Sequence, residues 1–143
     1  MKPEKYGLGS CGPRGFLGSF SSHLMLERDL EAVVDQPAIV FSSYASVVLS
    51  AVQAMAPDFV ISFKNSRPEI QRLIQAVKVI EVDYEDFLQS KLPEGLESLL
   101  IMKLNKWIVF DAFDSAHRLV DLPKILQFAE RYSVKTLLND AFL

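Results

Sequence analysis

Two apolar runs, Phe59 to Phe63 and Trp107 to Phe110, constrain the fold of this chain more than any other feature. A strand that buries one face alternates apolar with polar residues. Runs with little or no alternation belong to strands covered on both sides, as in a parallel sheet flanked by helices. The segments around them fit that arrangement. Leu26, Leu30, Val33 and Val34 recur at helical spacing behind Ser21 and Ser22 as caps, which predicts a helix to about Val34. Ala38 to Phe41 reads as a strand, and Val48, Leu49, Val52 and Met55 mark one face of a helix starting near Ser43. Ser66 and Glu69 have capping-box spacing ahead of Ile70, Leu73, Ile74 and Val77, with Pro68 in the first turn. Lys78 to Val82 is a strand, and Tyr84 to Leu104 is helical but broken at Pro93 and Gly95 into two short helices. Lys106 to Phe110 is a strand, Leu122 to Arg131 a helix with Pro123 in its first turn, and Lys135 to Asn139 the last strand. Five strands alternating with helices predict an α/β domain with a mostly parallel sheet.

The 143 residues suit one domain, with residues 1–20 as a glycine-rich loop or arm and 21–143 as the α/β part. Five of the six glycines fall between Gly7 and Gly18, which excludes a helix or regular strand there. Lys and Arg number 15 against 18 Asp and Glu, and a net charge of −3 gives no electrostatic case for a nucleic-acid partner. A single cysteine, Cys11, excludes an internal disulfide and a multi-cysteine zinc site. It fits a reduced, intracellular protein, and the opening residues do not read as a signal peptide. The uncharged stretch Gln36 to Pro57 has the length of a membrane span, but its two Gln, four Ser and flanking prolines fit a strand and an amphipathic helix better.

Gly7, Gly9 and Gly12 spell G-x-G-x-x-G, the dinucleotide fingerprint. That motif binds pyrophosphate by joining a strand to a helix N-terminus. Here only six residues precede Gly7, Pro13 follows, and no helix is expected before about Ser22.

The longer string Tyr6-Gly7-Leu8-Gly9-Ser10-Cys11-Gly12-Pro13-Arg14-Gly15-Phe16-Leu17-Gly18-Ser19, followed by His23, Leu24, Leu26 and Glu27, is far more specific. It resembles the α-oxoamine synthases, and among them the serine palmitoyltransferases, which condense serine with palmitoyl-CoA at the start of sphingolipid synthesis. The resemblance continues through Leu122-Pro123 and Tyr132 to Asn139-Asp140-Ala141. It implies part of the large α/β domain of the aspartate-aminotransferase-like, pyridoxal-phosphate fold type I architecture.

Such an enzyme needs a Schiff-base lysine, a carboxylate facing the pyridine nitrogen, a ring-stacking group and a phosphate cup. The family carboxylate lies in a strand-ending Asp-Glu-Ala-His motif, matched here by Asn139-Asp140-Ala141-Phe142. Neutral Asn139 cannot supply the charge, Phe142 cannot hydrogen-bond the cofactor, and Asp140 points to the opposite face of its strand. The stacking position matches Asn65-Ser66-Arg67-Pro68 and falls on Arg67 or a close neighbour. The family's Ser-x-Gly-Phe cup matches Ser42-Ser43-Tyr44-Ala45, where bulky Tyr44 replaces the glycine. The family lysine follows the Asp-Glu-Ala-His motif, and the sequence ends at Leu143.

The resemblance therefore implies a truncated, catalytically silent subunit of the non-catalytic type. Pyridoxal phosphate would sit on a catalytic partner in a heterodimer at the cytosolic face of the endoplasmic reticulum membrane, with membrane attachment only through the holoenzyme. The loop Cys11, Gly12, Pro13, Arg14 and Gly15 would lie near the partner's active site. Two other readings stand beside it: an orphaned α/β interaction or regulatory module, and a piece of a longer product. A sheet missing its late strands would leave Lys135 to Asn139 an open edge that invites pairing, a homodimer included. Cys11 reads more simply as an inert small residue, His23 as a helix-start cap or packing residue, and His117 with Asp114 and Asp121 as a solvated loop rather than a metal or acid–base site. Trp107 and Phe110 read as core, and Asp83 as a helix cap within the acidic run Glu81 to Asp86.

Overall fold

The computed structural model describes residues 18–64, 66, 77–113 and 117–140. The glycine loop with Cys11, Gly12, Pro13, Arg14 and Gly15 lies outside them, as do Arg67, Phe142, Asp114 and the body of the helix expected after Ser66. The chain divides into two compact units, Met1–Ser42 and Ser43–Leu143.

The first unit carries helix α1, Ser21–Val34. Ser21 and Ser22 lie inside it and are not its caps. The cap is Phe20, whose N–H donates to Nδ1 of His23 at 3.3 Å, so His23 does the work expected of a side chain in the first turn. The expected strand Ala38 to Phe41 is absent from the sheet, and its backbone explains why. The Ala38 N–H donates to Glu31 Oε1 and the Val40 N–H to Glu27 Oε1 at 2.8 Å, so two glutamates of α1 take donors that a neighbouring strand would otherwise use. Four strands are described, not five.

The second unit begins with α2, Tyr44–Met55, capped by the Ser43 hydroxyl, which accepts from the Ser46 N–H. Its Val48 and Val52, one turn apart, are buried. Strands β1 (Phe59–Phe63), β2 (Val79–Val82), β3 (Lys106–Asp111) and β4 (Lys135–Asn139) form one sheet in the order β2-β1-β3-β4. Every pairing is parallel, with Ile61 opposite both Ile80 and Ile108, and Val109 opposite Leu137. Between the strands run α3 (Tyr84–Leu88), α4 (Leu96–Leu100) and α5 (Leu122–Tyr132). Pro93 and Gly95 separate α3 from α4 as expected, with Gly95 at φ +79° as the N-cap of α4. Asp83 caps α3 by accepting from the Glu85 and Asp86 N–H groups.

The strand period of two divides the core. Phe59, Ile61, Phe63, Val82, Ile108 and Phe110 pack on one face with Phe87 of α3, Leu96 and Leu100 of α4, and Ile125 and Ala129 of α5. Val60 and Val109 point to the other face, against Val77, Val79, Trp107 and Leu137. Phe110 is core as expected. Trp107 is only half-buried, its indole N–H donating to Asn105 Oδ1 at 3.1 Å. No helix among the described residues is long and apolar enough to cross a membrane.

Candidate functional site

Because all four strands are parallel, their carboxyl ends share one edge of the sheet. The chain leaves β1 toward β2 on one side and leaves β3 toward β4 on the other. The carboxyl ends of β1 and β3 therefore diverge, which opens the crevice where parallel α/β sheets bind ligands. A cleft of about 130 Å³ lies there, lined by Phe63, Lys64 and Ser66 after β1, Asp83, Tyr84 and Glu85 after β2, and Asp111, Phe113, Arg118 and Val120 after β3.

Its polar groups are tied to one another. The buried Ser66 hydroxyl donates to the Phe63 carbonyl at 2.7 Å and accepts from the Ser62 hydroxyl at 3.2 Å. The Tyr84 hydroxyl accepts from the Asp121 N–H at 2.7 Å, and its ring meets Phe63 edge-on with centroids 5.0 Å apart. Arg118 pairs with Glu85 at 2.7 Å, both side chains largely exposed, so the pair fixes geometry more than it stabilises. An antiparallel bridge between Phe113 and Leu119 and the Val120 N–H bond to the Ala112 carbonyl close the base of the loop that carries Arg118. His117 stands in that loop at φ +58°. Asp121 caps α5 by accepting from the Lys124 N–H, and no cluster of three or more metal-ligating side chains exists among the described residues.

Asn139, the last residue of β4, is in register with Asp111, the last of β3. Its amide Nδ2 donates to Asp111 Oδ1. Asn139 thus stands at the carboxyl edge of the sheet, as the motif placed it, beside a carboxylate that the sequence reading did not single out. The other lining residues, Lys64, Tyr84, Glu85 and Arg118, were equally unremarked. For Lys64, Tyr84 and Glu85 the signal was available, since each lies within three residues of the end of a strand-like run, where a parallel sheet gathers its functional groups; Arg118, seven residues past β3, gave none. Of the degenerate family positions, Tyr44 is the first residue of α2 and only its backbone is described, while Arg67 and Phe142 lie outside the described residues.

At the two matched positions within the described residues, Asn139 and the start of α2, the groups the resemblance calls for are replaced. A protonated pyridine nitrogen calls for an anion, and Asn139 offers a neutral amide engaged with Asp111. At the start of α2 the Ser43 hydroxyl already accepts the Ser46 N–H that an anion would use.

No family model matches the chain. Long chain base biosynthesis protein 1b of Oryza sativa subsp. japonica is 26% identical over 147 residues, covering 96% of this chain and 31% of that protein. Serine palmitoyltransferase 1 of Dictyostelium discoideum is 27% identical over 150 residues, with the same coverage of each. A solved structure of serine palmitoyltransferase with its pyridoxal-phosphate internal aldimine superposes with a TM-score of 0.78 at 22% identity, over 97% of this chain and 36% of its own. The fold is the pyridoxal-phosphate-dependent aminotransferase-like one. The resemblance to serine palmitoyltransferase that the glycine string carried is thereby met along almost the whole sequence, and the chain spans about a third of the length of the relatives it matches.

Proposed function

We propose that this chain serves serine palmitoyltransferase as a catalytically silent subunit that acts through a catalytic partner. The observation that carries the reading is Asn139, a neutral amide bonded to Asp111 at the end of β4, at the position that the resemblance matches to the carboxylate of the Asp-Glu-Ala-His motif. Pyridoxal phosphate, which supplies an electron sink for carbon–carbon bond formation, belongs in this reading to the partner subunit. The part left to this chain is structural. Asn139 and Asp111 hold the ends of β4 and β3 together, and the Tyr84 and Glu85 contacts tie Asp121 and Arg118 to α3. The segment Cys11 to Gly15 approaches the partner's active site, and the heterodimer resides at the endoplasmic reticulum membrane.

The test is to purify the chain alone and with a candidate catalytic subunit, add pyridoxal phosphate, and record absorbance, borohydride-reducible labelling and serine-dependent acyl transfer. The chain alone should carry no stoichiometric adduct, and the pair should copurify and turn over. A specific lysine adduct with condensing activity in the chain alone would overturn catalytic silence, and failure to associate with any such partner would favour the interaction-module reading. Within an active pair, Arg14→Ala and Cys11→Trp should lower turnover while leaving the amount of complex unchanged, because displacement near reacting groups slows chemistry without unfolding anything.

A further inference from the structure

At the opposite end of the sheet, where β3 begins and α4 and α5 end, a shallow depression of about 410 Å³ is bordered by Ile101, Met102, Lys103, Lys106, Arg131 and Tyr132. No acidic side chain lines it. Lys106 is only 5% exposed, and its ammonium donates to the carbonyls of Leu100 and Met102 at 2.5 and 3.2 Å, with no carboxylate beside it. Burying an ammonium without a counter-charge is unfavourable, and the carbonyl ends of α4 and α5 supply only partial charges against it. Lys103 and Arg131 are exposed on the rim. The Arg131 guanidinium lies 5.2 Å from the Tyr132 ring centroid, which holds it in place. Next to these cations two large apolar side chains face water, Ile101 at 80% exposure and Met102 at 50%.

Three cations, of which Arg131 also borders an adjoining cleft that holds Glu97, stand beside two protruding apolar side chains on one turn and match a surface that is anionic outside and apolar beneath. We infer that this end of the domain docks on an anionic lipid bilayer, Ile101 and Met102 entering the interface while Lys103 and Arg131 meet the lipid phosphates over buried Lys106. The chain's net charge of −3 does not oppose this, since an uneven charge distribution acts locally within a Debye length. The surface belongs to the second unit alone and stands or falls independently of the serine palmitoyltransferase reading.

Cosedimentation of the full 143-residue chain with vesicles of phosphatidylcholine, with and without phosphatidylserine, tests the idea. Binding should need phosphatidylserine and fade as salt rises from about 0.1 M to about 1 M, where screening shortens from about 10 to about 3 Å. Lys103→Gln and Arg131→Gln, both exposed and so compatible with folding, should each weaken binding about fivefold. Ile101→Ser with Met102→Ser should weaken it at unchanged charge. Circular dichroism of each variant separates lost docking from lost fold. Absence of binding, equal binding to neutral vesicles, or glutamine variants that bind as the parent would overturn the inference. So would displacement by inorganic phosphate combined with parental binding of the serine variants, since that would mark a site for free phosphate.

Discussion

Asn105 is the residue on which the most separate pieces of the second unit meet. Its Nδ2 donates to the carbonyls of Met55 and Ala56 at the end of α2, and its Oδ1 accepts from the Trp107 indole and the Lys135 ammonium, each at 3.1 Å. These bonds tie the end of α2 to the starts of β3 and β4, and they hold Ala56 at a left-handed φ of +40°. Asn105→Ala should lower stability by about 2 kcal/mol, since the half-buried Met55 carbonyl and the Trp107 indole N–H lose their partner together. Urea unfolding followed by Trp107 fluorescence measures this directly. Asn139 has a different importance, because its neighbour is already a carboxylate. Asn139→Asp would restore the family's charge but set two carboxylates side by side. Like charges hinder each other's ionisation, so the folded variant would hold a proton that the unfolded chain releases, and its stability would fall as pH rises. A loss of about 2 kcal/mol against the parent at about pH 7, shrinking toward about pH 4, is the expected result in paired urea titrations. An equal deficit at both pH values would mean that the lost amide hydrogen bond, not charge repulsion, is responsible.

Among the elements, α5 shows how one helix serves core and solvent at once. Ile125 is fully buried against the sheet, whereas Leu126, its immediate neighbour, is 47% exposed. Ile125→Ala should therefore cost about 3 kcal/mol through lost burial and a residual cavity, and Leu126→Ala under about 1 kcal/mol. Thermal or urea unfolding of the two variants checks the contrast, and similar losses would show α5 rotated from this orientation. The same helix anchors a file of aromatic rings, Tyr84, Phe63, Phe87, Phe128 and Tyr132, with successive centroids 5.0 to 5.2 Å apart. It runs from the cleft after β1 and β2 to the depression at the end of α5. Such edge-on and tilted contacts fix the relative orientation of side chains across the core.

At the scale of the molecule, the sheet ends on β4, which pairs with β3 on one side and has no strand on its other side among the described residues. Its outward backbone groups and the 43% exposed Leu138 make it a template for further pairing, with Lys135 the one charged residue along it. The isolated chain should therefore self-associate, with a thermal midpoint that rises with protein concentration. Leu138→Lys should reduce that association while leaving the stability of the dilute monomer within about 1 kcal/mol of the parent. Light scattering and thermal scans over a dilution series provide the readout. A sharp monomeric transition that is indifferent to dilution would show that the edge is closed in solution.

What the sequence determined by itself was the order and kind of most elements, because period and punctuation are local properties. The apolar runs 59–63 and 107–110, the proline and glycine dividing α3 from α4, and the helix starts near Ser43 and Asp83 all act within a few residues of themselves. The resemblance to the serine palmitoyltransferases was legible too, carried by the glycine string and the Asn139-Asp140-Ala141 ending. Tertiary structure alone decided three things. Ala38 to Phe41 has strand composition, yet it is not a strand, and Glu27 and Glu31, seven or more positions away, accept from the Val40 and Ala38 N–H groups. Asp111 became Asn139's partner only through the β3–β4 register, 28 residues apart in sequence. The cleft and the basic depression exist because parallel strands collect their ends at two opposite edges, bringing together residues that no sequence window spans.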